Sequence, residues 1–361
     1  MALKYIDMRF PRLYLSGQLL AVIVTTLSAL GASARRYEVL PPEYDGTMTP
    51  YDFSLVEPCP ELPDTLHPFF INYISRHGAR YLSSEKKVSA VEKALEKARR
   101  HGGLTRKGRD FLKLVAEVRE ATRGRWGALD SVGAEEQRRL ASEMSAMWPG
   151  VTGSGLIRAR ATYVPRVVMS MYEFCHRLAA LNPSLEVYTG EGHQYDALLR
   201  YFVINSAYAT YLESGPWKGV YDSYLEEHAP VGPALRLTGA SGGLDGHALR
   251  RLSMDIYGIL QSLRAAGLPA PTTEWMTVEE YRSCWEVSNL RHYLQRVANR
   301  ESDLPALAAR PLLHEMIAAA DSAVVAYEHG DSSGRANLLF GHAETVMPLF
   351  SAMASGMCTL L

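Results

Sequence analysis

Apolar positions along this 361-residue chain follow two periods, and segments of the two kinds alternate. Short runs rich in β-branched and aromatic residues predict buried strands at about 69–75, 155–163, 185–189 and 335–341. Apolar residues spaced three and four apart predict helices over about 84–101, 105–120, 134–147, from Pro165 onward, and from Glu344 to about Met357. This alternation is typical of an α/β protein with a mostly parallel sheet flanked by helices.

After Gly192 the pattern becomes almost entirely helical. Helices are predicted at about 193–212, 246–265, 278–300 and 308–329, with a connector rich in glycine and proline over 230–246. We interpret 191–304 as an all-helical cap domain inserted into an α/β core formed by 35–190 and 305–361. Pockets commonly lie at the interface of two such domains.

The first predicted strand ends abruptly in reactive side chains, since 69–80 reads FFINYISRHGAR. Ligands of α/β sheets bind at the carboxyl ends of strands, where Arg76, His77, Gly78 and Arg80 fall. Guanidinium groups match phosphate oxygens in pairs, and a glycine lets the backbone approach an anion. Positive surroundings favour the neutral imidazole of His77, which can attack phosphorus and carry a phosphoryl group.

Two later strands place further candidate residues at the same edge of the predicted sheet. Pro165 begins a helix directly after a strand, so Arg166 lies in a first turn whose free N–H groups attract phosphate. His342 and Glu344 follow the strand at 335–341, where His342 is predicted to hydrogen-bond a bound phosphate. The helix dipole favours ionised Glu344, so a proton stays on it only with the anionic phosphate nearby.

Composition narrows the chemistry further. The net charge is −1, with 47% hydrophobic and 21% charged residues, which gives no footprint for nucleic acid. The histidines are scattered and no cysteine has a neighbour at metal-ligand spacing, so we predict no metal and no cofactor. Cys175 and Cys284 lie in apolar helical patterns and are predicted to be buried free thiols. The pairing of the four cysteines is left open: Cys59, Cys175, Cys284 and Cys358.

The first 34 residues have the pattern of a signal peptide. Lys4, Arg9 and Arg12 precede an apolar run at 19–30 and the small residues 32–34. The run is too short to span a bilayer. We therefore predict cleavage before Arg35, a periplasmic or secreted protein, and no membrane association after cleavage.

The motifs RHGAR at 76–80 and GHAE at 341–344 resemble the signature of the histidine acid phosphatase superfamily, branch 2. At the second motif the multiple inositol polyphosphate phosphatases carry His-Ala-Glu, whereas the phytase and acid phosphatase relatives carry His-Asp. Within the superfamily the chain is therefore most similar to the multiple inositol polyphosphate phosphatases, followed by the histidine acid phytases. GTMTPY at 46–51 and VPRVVMSMYEF at 164–174 are similar to further family blocks. The chain departs from the family at Leu82, where proline is common.

The resemblance implies a histidine-phosphatase-like fold and a phosphomonoester hydrolase that acts on inositol polyphosphates such as phytate. His77 would form a phosphohistidine and Glu344 would donate the proton, while Arg76, Arg80, Arg166 and His342 bind the phosphoryl group. The alternatives are a broad acid phosphatase acting on sugar phosphates or bisphosphoglycerate, and a truncated, non-catalytic inositol phosphate binding protein. Further candidates for a second phosphate are each interpreted as surface residues: His193, Arg200, Lys218 and His292.

Family members continue beyond the helix that follows His-Ala-Glu, whereas this sequence stops at Leu361. The segment 347–361 is apolar. Unpaired strand edges and apolar surface invite association. We therefore expect either a poorly soluble fragment or self-association through this face.

Overall fold

The computed structural model of the protein describes residues 37–55, 63, 65–331 and 333–358, without the side chains of 355–358. The predicted signal peptide, Cys59 and the side chain of Cys358 therefore lie outside the described residues. Among the described cysteines, Cys175 and Cys284 are buried and free, as predicted. Within the described part of the chain, no helix is both long and apolar enough to cross a membrane.

Four parallel strands form one sheet, in the order β1-β4-β2-β3. The strands are β1 (Ile71–Arg76), β2 (Gly155–Ala161), β3 (Leu185–Glu191) and β4 (Gly334–Gly341). All four predicted strands are confirmed, and so is the α/β fold class. The register pairs Arg76 with Gly341 and Ala161 with Phe340, so β1, β4 and β2 end side by side. Their carboxyl ends share one edge of the sheet.

Helices surround the sheet and form most of the remaining structure. In chain order they are α1 (Lys86–Arg100), α2 (Arg106–Thr122), α3 (Ser131–Met147), α4 (Pro149–Thr152), α5 (Pro165–Leu181), α6 (Asp196–Leu199), α7 (Tyr201–Ile204), α8 (Ser206–Ser214), α9 (Trp217–His228), α10 (Gly232–Thr238), α11 (Gly246–Leu260), α12 (Val278–Arg296), α13 (Leu304–Glu328) and α14 (Ala343–Cys358). Helices predicted before Gly192 are confirmed to within a few residues.

Two helix predictions beyond Gly192 are wrong. The stretch 193–212 is broken into α6, α7 and α8, because Asn205 leaves the helical conformation and its side chain accepts a hydrogen bond from Tyr208 N at 3.0 Å. That bond caps the start of a new helix. The connector 230–246 contains α10, and α9 occupies a segment for which no helix was predicted.

Both faces of the sheet are packed. The pleat of β4 sends Leu338 and Phe340 to one face, where they join Phe174 of α5, and sends Leu339 to the other. Leu339 packs in the cluster that includes Leu349 of α14, together with residues of α8, α12 and α13. Because β4 is central and buried on both faces, its carboxyl end is held rigidly.

A second apolar cluster joins five helices, of which α12 also contributes to the cluster around Leu339. It is built from buried side chains of α1, α2, α10, α11 and α12. This helical cluster thus includes α1 and α2, which come from the segment assigned to the α/β core. The cap boundaries at 191 and 304 remain a proposal.

A buried ion pair fastens the N-terminal segment to this cluster. Asp45, in the 3-10 helix Pro42–Met48, is fully buried and pairs with Arg264. Tyr281 Oη donates a hydrogen bond to Asp45 Oδ1 at 2.5 Å. Thr47 lies in the same 3-10 helix, and its carbonyl oxygen accepts a hydrogen bond from Arg76, so this anchor also supports the site.

We predict that Asp45→Ala lowers the free energy of unfolding by about 3 kcal/mol, because removing one partner leaves a buried charge unpaired. Urea denaturation of purified protein measures the change. The control is Asp110→Ala, which removes the partner of Lys113 at an exposed site, 2.8 Å away. That variant should unfold at the wild-type urea concentration. Equal midpoints for both variants would contradict the anchor.

Candidate active site

Three neighbouring strand ends deliver the central groups. His77 follows β1, and its backbone N–H donates to Gly341 O at 3.0 Å, which extends the ladder by one residue. His342 follows β4 and Thr162 follows β2. The two histidines are 6% and 4% exposed, and their ring centroids are 5.7 Å apart at an angle of 75°. Two motifs separated by more than 260 positions in sequence therefore meet, as predicted from the strand-end rule.

Helix α3 fixes the loop that carries His77. A Cβ on Gly78 would lie 2.3 Å from the carbonyl oxygen of Gly133, in the first turn of α3. The glycine is therefore required by close packing, in addition to the anion approach that the sequence suggested. Ala79 N donates to Glu136 Oε2 at 2.9 Å, and Gly78 N donates to Ser170 Oγ at 3.1 Å. The loop is thus tied to both α3 and α5.

His77 presents a free ring nitrogen. Its Nδ1 lies 2.8 Å from the carbonyl oxygen of Gly78. A carbonyl only accepts, so Nδ1 carries the hydrogen and Nε2 keeps its lone pair. Burial, followed by the charge of Arg76, lowers the pKa of His77 to about 2. The imidazole is therefore neutral at any ordinary working pH.

Three partly buried arginines act electrostatically on His77: Arg76, Arg80 and Arg166. Arg76 Nη1 donates to Thr47 O at 2.9 Å and Arg80 Nη1 to Tyr81 O at 3.0 Å. Burial and then Arg80 lower the pKa of Arg76 and of Arg166 to about 10, so both stay charged at neutral pH. Within the described chain, the buried Nε of all three guanidinium groups has no acceptor. An anion would supply the missing acceptors.

His342 lies between Arg166 and Thr162. Arg166 Nη2 is 3.5 Å from His342 Nδ1, and because a guanidinium only donates, Nδ1 is the acceptor. Nε2 then carries the hydrogen toward Thr162 Oγ1, at 3.3 Å. Burial and the charge of Arg166 lower the pKa of His342 to about 4. This ring is also neutral near pH 7.

Glu344, in the first turn of α14, is held by Arg296 at the end of α12. Arg296 Nη2 donates to Glu344 Oε1 at 2.5 Å. Burial alone would raise the pKa of Glu344, but the charge and hydrogen bond of Arg296 outweigh it and lower the pKa to about 2. Glu344 is therefore ionised in the site without a ligand.

Arg296 and His292 are site residues that the sequence reasoning did not assign to chemistry. Arg296 Nη1 contacts His292 Nδ1, and burial followed by Arg296 lowers the pKa of His292 to about 3. The two residues are four apart on α12, so they share one helix face. The four-residue spacing of these two residues in the stretch HYLQR could have indicated from the sequence that they act together.

The other sequence candidates divide into two groups. Arg200 is 16% exposed, pairs with Asp196 at 3.3 Å and acts electrostatically on His342. His193 is 74% exposed and Lys218 is exposed. Arg200 and His292 thus belong to the surroundings of the site, whereas no described contact links His193 or Lys218 to His77.

A cationic pocket, lined by none of the three arginines, lies on the Lys87 side of Arg80. This cavity of about 180 Å³ lies among α1, α9, α11 and α12, with Lys87, Arg251 and Arg291 in its wall beside a single carboxylate, Asp255. Lys87 is within electrostatic range of Arg80. Within the described residues, no group of three or more histidine, cysteine or acidic side chains is placed to hold a metal ion.

Known proteins were compared with this chain by sequence and by structure. No protein-family model and no curated protein matches the sequence. The crystal structure of multiple inositol polyphosphate phosphatase from Bifidobacterium longum, in complex with inositol hexasulfate, superposes with a TM-score of 0.69 at 14% identity, covering 84% of this chain and 80% of that one. The phytase from D. castellii gives 0.58 at 14% identity, covering 87% and 68%. The chain therefore shares the fold of these two solved structures.

The unsatisfied guanidinium groups predict anion binding. Arg166→Met should weaken binding of inorganic phosphate about 10- to 100-fold, the usual effect of losing a hydrogen bond to a charged group. Isothermal titration calorimetry at pH 7 measures it. Arg158→Met, at an exposed position of β2, is the matched control and should bind phosphate as the wild type does. Similar affinities for the two variants would remove Arg166 from the site.

Proposed function

We propose that the protein is a phosphomonoester hydrolase that acts on inositol polyphosphates, phytate among them, through a phosphohistidine at His77. One observation carries this proposal. The unprotonated Nε2 of His77 is surrounded by three partly buried arginines whose buried Nε atoms have no acceptor within the described chain. A nucleophile inside an anion site is the arrangement that phosphoryl transfer requires.

In the first step, the lone pair of His77 Nε2 attacks phosphorus while Arg76, Arg80, Arg166 and His342 bind the phosphoryl oxygens. The phosphorus–oxygen ester bond breaks, and the leaving alkoxide takes a proton from Glu344. In the second step, water attacks phosphorus and gives a proton to Glu344. The phosphorus–nitrogen bond breaks and its electron pair returns to His77. Arginine charge stabilises both transition states.

Two features support a substrate with several phosphates. The neighbouring structures are described as an inositol polyphosphate phosphatase, solved with inositol hexasulfate, and a phytase. In this chain, the cationic pocket extends positive charge from Arg80 to Lys87 and Arg291. A second phosphate on a compact ring would meet these groups while the first lies beside His77.

The alternatives make different use of the same site. A broad acid phosphatase would hydrolyse sugar phosphates or bisphosphoglycerate without using the cationic pocket. A non-catalytic inositol phosphate binding protein would need the arginines but not a free nucleophile. Because His77 keeps an unprotonated Nε2, the arrangement favours catalysis. We also propose that residues 1–34 direct export of the protein, and that residues 191–304 form a cap domain.

Rapid quenching during phytate turnover should trap an acid-labile, alkali-stable phosphoenzyme, because a phosphorus–nitrogen bond has this stability. His77→Ala should trap none. Labelled phosphate retained on the denatured protein is the readout. His193→Ala, at an exposed histidine, is the control and should label as the wild type does. Equal labelling of His77→Ala would disprove the assignment.

Lys87→Met should raise KM for phytate about tenfold and leave KM for an aryl phosphate unchanged, because only the polyphosphate reaches the cationic pocket. Steady-state kinetics on both substrates gives the comparison. Lys113→Met serves as control, since this lysine is exposed and pairs with Asp110. A parallel rise in KM for both substrates would favour the broad acid phosphatase.

A further inference from the structure

We propose that Arg296 is a positioning residue that controls when Glu344 carries a proton. In the empty site its guanidinium holds Glu344 as a carboxylate. When an anionic substrate binds, the guanidinium turns to a phosphate oxygen and Glu344 takes up the proton that it later donates. This inference rests on the proposed function and adds a substrate-dependent step to it.

The contact between Arg296 and Glu344 is close and largely shielded from solvent. Arg296 is 11% exposed and Glu344 is 32% exposed, with Nη2 and Oε1 2.5 Å apart. The backbone that carries Arg296 is anchored: Tyr208 Oη donates to Gln295 O at 2.9 Å, and Tyr211 Oη donates to Leu294 O at 2.5 Å. These bonds occupy carbonyls in the last turn of α12. The helix end is therefore fixed, and only the side chain is free to change partners.

Arg296 also has spare hydrogen-bonding capacity. A guanidinium carries five N–H donors. One terminal nitrogen contacts Glu344 and the other contacts His292, while the buried Nε has no acceptor in the described chain. An incoming phosphoryl or sulfate oxygen offers this group an anionic acceptor other than Glu344. The exchange requires rotation of one side chain and no movement of α12.

The charges that face Glu344 all favour the ionised form. Arg76 faces it from the end of β1, Arg80 from the loop after β1, Arg166 from α5 and Arg296 from α12, where the neutral His292 lies beside it. His342 is the neighbour on its own side, and the hydroxyl groups of Tyr201 and Tyr208 lie within range. With a pKa of about 2, Glu344 is protonated in about one molecule in a thousand at pH 5. A proton donor needs a far larger fraction, and a bound anion that both neutralises these cations and removes Arg296 provides it.

Proton uptake on ligand binding tests the exchange without turnover. The probe is myo-inositol hexasulfate, whose own charge does not change in mildly acidic solution. Calorimetry at pH 5, in two buffers with different ionisation enthalpies, gives the number of protons taken up per ligand bound. The wild type should take up roughly half to one proton more than Glu344→Gln, and this difference is the share that belongs to Glu344.

Arg296→Met should reduce that share about twofold or more, because Glu344 then has no ion pair to lose and only the neutralisation of the other arginines by the ligand remains. In this background, the share of Glu344 is the proton uptake of Arg296→Met minus that of the double variant Arg296→Met/Glu344→Gln. Arg296→Lys should restore part of it. Glu173→Gln, whose partner Arg138 is 2.6 Å away and outside the site, is the matched control and should leave uptake unchanged. Thermal unfolding of each variant verifies that it is folded.

The outcomes separate this inference from the proposed function. Failure of the wild type to bind hexasulfate would overturn the proposed function. Binding with equal uptake in the wild type and Glu344→Gln would overturn the inference alone. An unchanged Glu344 share in Arg296→Met would show that Arg296 has a structural role only and does not control the protonation of Glu344.

Discussion

The site depends on positive charge that is buried without matching negative charge. Arg296 pairs with Glu344 and Arg200 with Asp196, but Arg76, Arg80 and Arg166 have no carboxylate within ion-pair distance among the described residues. Removing charge from water is unfavourable, and it lowers the pKa of Arg76 and of Arg166 to about 10. The fold tolerates this cost because backbone carbonyls hold two of the guanidinium groups, and an anion relieves it.

The same charge sets the state of every titratable group nearby. His77 and His342 are neutral because burial and arginine charge both oppose their protonation. A neutral imidazole is required for attack on phosphorus. Glu344 is ionised for the complementary reason. Under the proposed mechanism, one electrostatic environment therefore gives a nucleophile that is ready in the empty site and an acid that is not, so the proton of Glu344 would arrive with the ligand.

Local sequence patterns predicted the part of the site that lies at strand ends. The runs before His77 and before His342 are recognisable strands, and parallel strands bring their carboxyl ends to one edge, so the two motifs meet without any long-range information. Arg296, His292 and Lys87 could not be placed in this way. They lie on helices, and their approach to the site depends on how α1 and α12 pack in the helical cluster. The break at Asn205 was missed for a related reason: a helix cap within an apolar stretch has little effect on periodicity.

The central claim is that phosphorus passes through a covalent bond to His77, and the stereochemical course at phosphorus tests it most directly. Each in-line displacement inverts the configuration at phosphorus. The measurement hydrolyses a chiral, isotopically labelled thiophosphate ester in isotopic water and determines the configuration of the thiophosphate released. Two displacements, first by His77 and then by water, predict overall retention. Inversion would mean that water attacks the ester directly and would contradict the phosphohistidine.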